Sequence, residues 1–130
     1  MKYLNCCQKV LINLNDLSGF SEEEAENLGA GFGGGATVGE LCGAASGAVI
    51  SLGKIFGDTD ISARNMTIEF QKRFKERVGN YRCSDILGYD MTDAEQAKKC
   101  MESGVKKEVC PNAISSAEEI VRELVRENLD

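Results

Sequence analysis

Apolar residues recur every three or four positions through most of the chain, a spacing typical of amphipathic helices. Residues 3–17, 62–78 and 111–125 show it most clearly. In the second segment Met66, Phe70 and Phe74 form the apolar face, and lysine, arginine and glutamate form the opposite face. No segment alternates with a period of two, so the pattern predicts an all-α fold.

Capping signals predict where several helices begin. Ser21 and Glu24 have the spacing of a capping box and predict a short acidic helix that ends near position 29. Thr92 and Glu95 have the same spacing and predict a helix that ends near position 104. Residues 82–88 predict one or two helical turns.

Proline at position 111 predicts the start of the last helix, since proline is common at the first helical position. Cys110 would then be the N-cap of that helix. Residues 38–56 predict an apolar helix in which Gly39, Gly43 and Gly47 recur every four residues. Such a stripe lets another element pack very close to the backbone.

A glycine-rich segment, residues 29–35, separates the acidic helix from the apolar one. Residues 29–34 match the GxGxxG pattern of dinucleotide-binding loops, but that pattern needs a preceding buried strand. Here the preceding residues are acidic and predicted to be helical. We interpret the segment as a packing loop rather than a nucleotide site.

The length of 130 residues fits one compact domain, and we expect residues 1–130 to form a single helical bundle of about five to six helices. The net charge of −6 argues against nucleic acid as a partner. No signal-peptide pattern is present at the start, so a cytoplasmic location is expected. The apolar stretch 36–53 contains Glu40 and many glycines and alanines, so we expect a core helix and no membrane insertion.

The candidate chemistry lies in the six cysteines, because the chain contains no histidine and therefore no Ser-His-Asp or Cys-His site. In a reducing compartment, several cysteines indicate redox chemistry or metal binding. Cys42 and Cys110 are close to predicted helix starts, where amide donors stabilise a thiolate by roughly 0.3–1 kcal/mol. Cys7 and Cys100 are interpreted as small buried apolar residues.

Several segments resemble the CGAxxG family (C_GCAxxG_C_C), whose members are described as redox-active and have four characteristic cysteines. The resemblance covers nearly the whole chain and implies a thiol-based redox function at Cys6, Cys42, Cys83 and Cys110. It implies no settled substrate, electron donor or cofactor. The matching segments are Asn5-Cys6, the glycine loop 31–35, residues 40–44 with Gly47, Cys83 with Leu87-Gly88, and Cys110-Pro111.

Three functional hypotheses follow, and whether the protein is an enzyme stays open. The first is thiol–disulfide exchange with a redox protein or a small thiol, in which Cys42 attacks or senses and Cys83 or Cys110 completes the disulfide. Four cysteines allow three complete pairings, and the sequence does not choose among them.

The second hypothesis is a metal-binding or iron–sulfur module that uses Cys6, Cys42, Cys83 and Cys110. No CxxC motif occurs, so tertiary packing would have to assemble a zinc or iron–sulfur site. The third is a helical interaction protein with structural cysteines, which forms a homodimer through the glycine stripe of residues 39–47. Glu40 could act as a base near Cys42, although an exposed glutamate at a helix start is the commoner case.

Overall fold

The computed structural model describes residues 3–129, and within that range the protein is helical, without a regular β-strand. The prediction of an all-α fold is therefore confirmed. The count of helices exceeds the predicted five or six because short one-turn helices separate the longer ones. The helices are α1 (Cys6–Asn13), α2 (Asn15–Ser18), α3 (Glu22–Gly29), α4 (Gly43–Phe56), α5 (Ala63–Val78), α6 (Cys83–Leu87), α7 (Ala94–Ser103) and α8 (Val105–Leu129).

The first helix begins later than its apolar pattern predicts, at a cap that was not predicted from the sequence. The side chain of Asn5 accepts a hydrogen bond from the N–H of Gln8 at 2.9 Å, and the side chain of Gln8 accepts one from the N–H of Asn5 at 2.8 Å. These reciprocal bonds satisfy two amides and make Cys6 the first helical residue. Tyr3, predicted on the apolar face, is 85% exposed.

The apolar helix α4 begins at Gly43 with Cys42 as its N-cap, so the predicted start near position 38 was wrong. Residues 35–39 form a wide turn in which the N–H of Glu40 donates to the carbonyl of Gly35 at 2.8 Å. Ala36 and Thr37 have positive φ angles of 55° and 72° there, which no right-handed helix accommodates. Gly39 therefore lies outside the helix.

The remaining glycines of the predicted stripe face α1. A Cβ atom on Gly47 would lie 2.8 Å from the carbonyl oxygen of Cys7 and 3.0 Å from Cβ of Val10. A Cβ atom on Gly43 would lie 3.2 Å from the backbone nitrogen of Cys7. Another helix of the same chain thus covers these two glycines, and they are not free to form the dimer face predicted for the stripe.

Gly47→Ala is expected to lower the free energy of unfolding by about 1–3 kcal/mol, because the added methyl group forces α1 away from α4. Gly53→Ala is the matched control on the same helix, since no atom lies within 4 Å of the position that an added Cβ would take there. That control should gain about 0.5–1 kcal/mol from helix propensity. Denaturant unfolding under reducing conditions measures both, and equal effects of the two changes would contradict the close packing of α1 on α4.

Two predicted helix starts near the C-terminal end also need correction. Asp93, rather than Thr92, caps α7: its carboxylate accepts from the N–H groups of Glu95 and Gln96. Thr92 instead donates its hydroxyl to Asp90. An aspartate directly before the helix satisfies two free amides without a reciprocal glutamate.

The last helix starts at Val105, directly after Gly104 ends α7 in a left-handed conformation. Pro111 lies inside α8, so the prediction that it begins a helix and that Cys110 is an N-cap was wrong. Proline removes one helical hydrogen bond and favours a first turn, but burial of the helix face overrides that preference here. Cys110 consequently has no helix-start amides around it.

The core lies where α4 meets α1, α5 and α8, and it contains most of the apolar residues predicted from periodicity. Cys7 and Cys100 are fully buried, as predicted. Arg73 of α5 pairs with Glu123 and Glu127 of α8. None of the helices in residues 3–129 combines the length and the apolar character needed to cross a membrane. The largest fully buried apolar side chains are Phe56, Phe70, Phe74, Leu11, Leu14, Leu52, Ile120 and Leu124.

Candidate thiol site

One cavity of about 390 Å³ lies between the starts of α1 and α4, helix α6 and the first half of α8. Cys6, Cys42, Cys83 and Cys110 all line it, although each comes from a different helix or helix start. Neither Cys7 nor Cys100 does. The structure therefore brings together the four cysteines that were selected from the sequence and separates them from the two that were set aside.

Backbone hydrogen bonds hold Cys42 next to Cys83. The N–H of Cys42 donates to the carbonyl of Tyr81 at 2.7 Å, and the N–H of Cys83 donates to the carbonyl of Glu40 at 2.6 Å. Together they form an isolated antiparallel β-bridge that joins the segment before α4 to the segment before α6. Two cysteines that are distant in sequence thus share one rigid backbone element.

The carboxylate of Glu40 pairs with the guanidinium of Arg82 across this bridge, at 3.3 Å between Oε2 and Nε. Both side chains are exposed. Glu40 is therefore an exposed residue, as expected, but it lies before α4 rather than at the start of the helix.

Glycines provide the space in which the thiol-bearing segments approach each other. A Cβ atom on Gly35 would lie 2.6 Å from Cβ of Cys83, and one on Gly43 would lie 3.3 Å from Cβ of Cys6. Gly29 and Gly33 similarly make room for Gln8 and Asn5, each with a closest distance of 2.9 Å. These contacts support the interpretation of the glycine-rich segment as a packing loop.

The thiols of Cys6 and Cys110 lie within hydrogen-bonding reach of each other, and both residues are partly exposed. The bond from the Cys110 thiol lowers the pKa of Cys6 to about 7, with further help from the positive charges of Lys9 and Lys106. Burial opposes the shift. The same bond raises the pKa of Cys110, so Cys110 keeps its proton while Cys6 ionises.

The other two thiols of the cavity are buried and favour the neutral form. Burial raises the pKa of Cys42, and the N–H groups of Ala45 and Ala44 at the helix start only partly oppose it. Burial also raises the pKa of Cys83, to about 11. The helix-start effect expected at Cys42 is therefore present, but desolvation outweighs it.

The low pKa of Cys6 was not predicted from the sequence because its main cause is a tertiary contact. The Asn5–Gln8 cap is a local signal that could have drawn attention to this helix start. Among residues 3–129, no group of three or more cysteine, aspartate or glutamate side chains has the arrangement that would hold a metal ion.

Comparison with known protein families gives a match over most of the chain. A protein-family model described as "Putative redox-active protein (C_GCAxxG_C_C)" matches residues 4–124, which include all four cysteines of the cavity. No curated protein and no solved structure is significantly similar to the chain.

Proposed function

The chain belongs to the C_GCAxxG_C_C family, whose members are described as redox-active proteins, and from this premise we propose that it carries out thiol–disulfide exchange at the four-cysteine cavity. The observation that carries the proposal is the contact between the Cys6 and Cys110 thiols at a cavity that both line. Exchange needs an accessible thiolate and a second thiol within reach of it, and this pair meets both requirements.

The proposed reaction begins when the Cys6 thiolate attacks one sulfur of a substrate disulfide. A bond forms between the Cys6 sulfur and that sulfur, the substrate S–S bond breaks, and the departing thiolate takes the proton of Cys110. The Cys110 thiolate then attacks the Cys6 sulfur, which forms the Cys6–Cys110 disulfide and breaks the bond to the second half of the substrate. That half leaves as a thiolate and takes a proton from water. The protein dithiol loses two electrons and the substrate disulfide gains them.

Cys42 and Cys83 are assigned a different role from the one predicted at the start. The predicted helix start favoured Cys42 as the attacking thiol, but its burial and raised pKa favour Cys6 for that step. The bridge between residues 40–42 and 81–83 supports Cys42 and Cys83 as a second couple. In this proposal Cys42 and Cys83 exchange with the Cys6–Cys110 pair after that pair has been oxidised to a disulfide.

The decisive experiment is to map the alkylation rate of each cysteine by mass spectrometry in anaerobically reduced protein, with metal content measured on the same sample. We expect Cys6 to react fastest, without bound metal, and Cys7 and Cys100 to react only on unfolding. A rate for Cys6 no greater than that for Cys42 would overturn the assignment of the attacking thiol. Protection of every cysteine until unfolding would instead favour the structural, interaction-protein hypothesis.

Removing the Cys110 thiol is expected to shift the pH dependence of Cys6 reactivity. In the unaltered protein, alkylation of Cys6 should be half-maximal near pH 7 and level off above it, because its pKa is about 7. In Cys110→Ala the midpoint should move up towards the ordinary thiol range of about 8.5, since the main hydrogen bond is lost. Cys110→Ser keeps a hydroxyl donor and should lie between the two. An unchanged midpoint in Cys110→Ala would show that Cys110 does not activate Cys6.

A metal-binding or iron–sulfur module is the second candidate function, because four cysteines line one cavity. No three of these side chains are arranged as metal ligands in the described residues, so binding would require them to move closer together. Cys6, Cys42, Cys83 and Cys110 would supply thiolate ligands. Collective protection of these four from alkylation, lost on treatment with a chelator, would support this candidate. Disulfide exchange by protein that contains no metal, iron included, would exclude metal or cluster binding as the main function.

A further inference from the structure

The walls of the thiol cavity have a charge opposite to that of the whole protein. The chain carries a net charge of −6, yet the charged residues that line the cavity are Lys9, Lys106 and Lys107, and no acidic side chain of residues 3–129 lines it. None of these three lysines forms an ion pair with another residue that the structure describes, whereas Lys98 and Lys99 of α7 do. Within the described residues, no ion pair therefore neutralises the three positive charges at the cavity.

Two of these three charges, those of Lys9 and Lys106, lie close to the reacting sulfurs. Lys9 and Lys106 both act electrostatically on Cys6, and Lys106 acts also on Cys83 and Cys110. Lys9 belongs to α1, and Lys106 and Lys107 belong to the first turn of α8, so the positive charge reaches the cavity from two sides. An anion would be attracted towards the same place as the thiol pair.

The rest of the lining is mainly apolar. Burial of aliphatic surface against a hydrocarbon chain, away from water, is favourable in free energy. The residues that contribute such surface are Leu4, Ile86, Leu87, Val109 and Ile114. A cavity of about 390 Å³ fits a small molecule and not a folded domain.

From this combination we infer that the substrate is a small aliphatic disulfide with a carboxylate or another anionic group at the end of its chain. The sulfur would lie at Cys6, the hydrocarbon chain against the aliphatic lining, and the anionic end at the lysines. This inference rests on the proposed exchange function and narrows it to one chemical class of substrate. A cationic disulfide of the same size would be repelled.

The test uses a series of linear disulfides that differ in charge and length: dithiodihexanoate, dithiodipropionate, hydroxyethyl disulfide and cystamine. For each disulfide, the rate at which it oxidises the Cys6–Cys110 pair in the intact protein is divided by the rate at which the same disulfide reacts with free mercaptoethanol. This ratio removes differences in the intrinsic reactivity of the disulfides. We expect normalised rates to fall in the order given, with dithiodipropionate about tenfold faster than cystamine at low salt. The difference should shrink at high salt.

Lys106→Gln is expected to reduce the tenfold preference to about threefold. The readout is the ratio of two disulfides, so an accompanying change in Cys6 ionisation affects both rates and cancels. Lys98→Gln is the control, because Lys98 lies on α7 outside the cavity and pairs with Glu102. Equal normalised rates for all four disulfides would overturn the inference and leave the exchange function intact. Failure of every disulfide to oxidise Cys6 and Cys110 would overturn the exchange function itself.

Discussion

Replacement of Cys6 by serine is expected to slow disulfide exchange by at least about 100-fold, because a serine hydroxyl does not ionise near neutral pH and does not attack disulfide sulfur. Serine has nearly the same size and can still accept the hydrogen bond from Cys110, so the fold should be retained. The rate of oxidation by dithiodipropionate, followed by mass spectrometry of the protein, measures the effect. Exchange at the original rate in Cys6→Ser would refute the assignment of the attacking thiol.

Cys7→Ser is the matched control, since it changes the neighbouring residue in the same way. Cys7 is fully buried, does not line the cavity, and has a pKa raised to about 12, mainly by that burial. Its substitution should leave the exchange rate within about twofold while lowering stability by about 1–3 kcal/mol, because a hydroxyl replaces an apolar sulfur in the core. The two neighbouring variants therefore separate reactivity from packing.

Gly35→Ala is expected to destabilise the protein by about 2–5 kcal/mol. Two effects add: the left-handed conformation at φ 66° costs an alanine about 1–2 kcal/mol, and its methyl group would lie 2.6 Å from Cβ of Cys83 and from backbone atoms of Glu40. The first effect is conformational, and the second pushes apart the segments that carry Cys42 and Cys83. Denaturant unfolding in the presence of a reductant measures the sum.

Gly34→Ala isolates the conformational part of that loss. Gly34 has a φ of 64°, nearly the same as that of Gly35, but no atom lies within 4 Å of the position of an added Cβ. Its substitution should cost only about 1–2 kcal/mol. If both alanine variants lose the same free energy of unfolding, the tight contact between Gly35 and Cys83 does not contribute to stability.

Features that depend on local pattern were predicted well from the sequence. Helical periodicity predicted the buried positions Phe70 and Phe74 of α5, and the Ser21–Glu24 capping box predicted the start of α3. The family resemblance selected four of the six cysteines, and the structure places these four at one cavity.

Features that depend on tertiary contacts were not predictable in the same way. The wide turn at 35–39 contains Ala36 and Thr37 in a left-handed conformation, which neither residue type prefers and which the surrounding packing imposes. Proline has a strong local preference for helix starts, yet Pro111 lies inside α8, which begins at Val105. Likewise, the hydrogen bond between the Cys6 and Cys110 thiols joins the first and last helices, and no short-range pattern encodes it.

The separation of those two thiols along the chain links the oxidation state of the protein to its folding. A Cys6–Cys110 disulfide would close a loop of roughly 100 residues, and in the chain-entropy view such a closure restricts the unfolded ensemble by about 4.7 kcal/mol. In a thermodynamic cycle, the free energy by which the disulfide stabilises the folded state equals the free energy by which folding stabilises the disulfide relative to the two thiols. Folding would thus make this dithiol a stronger reductant by about three orders of magnitude in its equilibrium constant. The reducing power of the pair is then a property of the completed fold rather than of either cysteine.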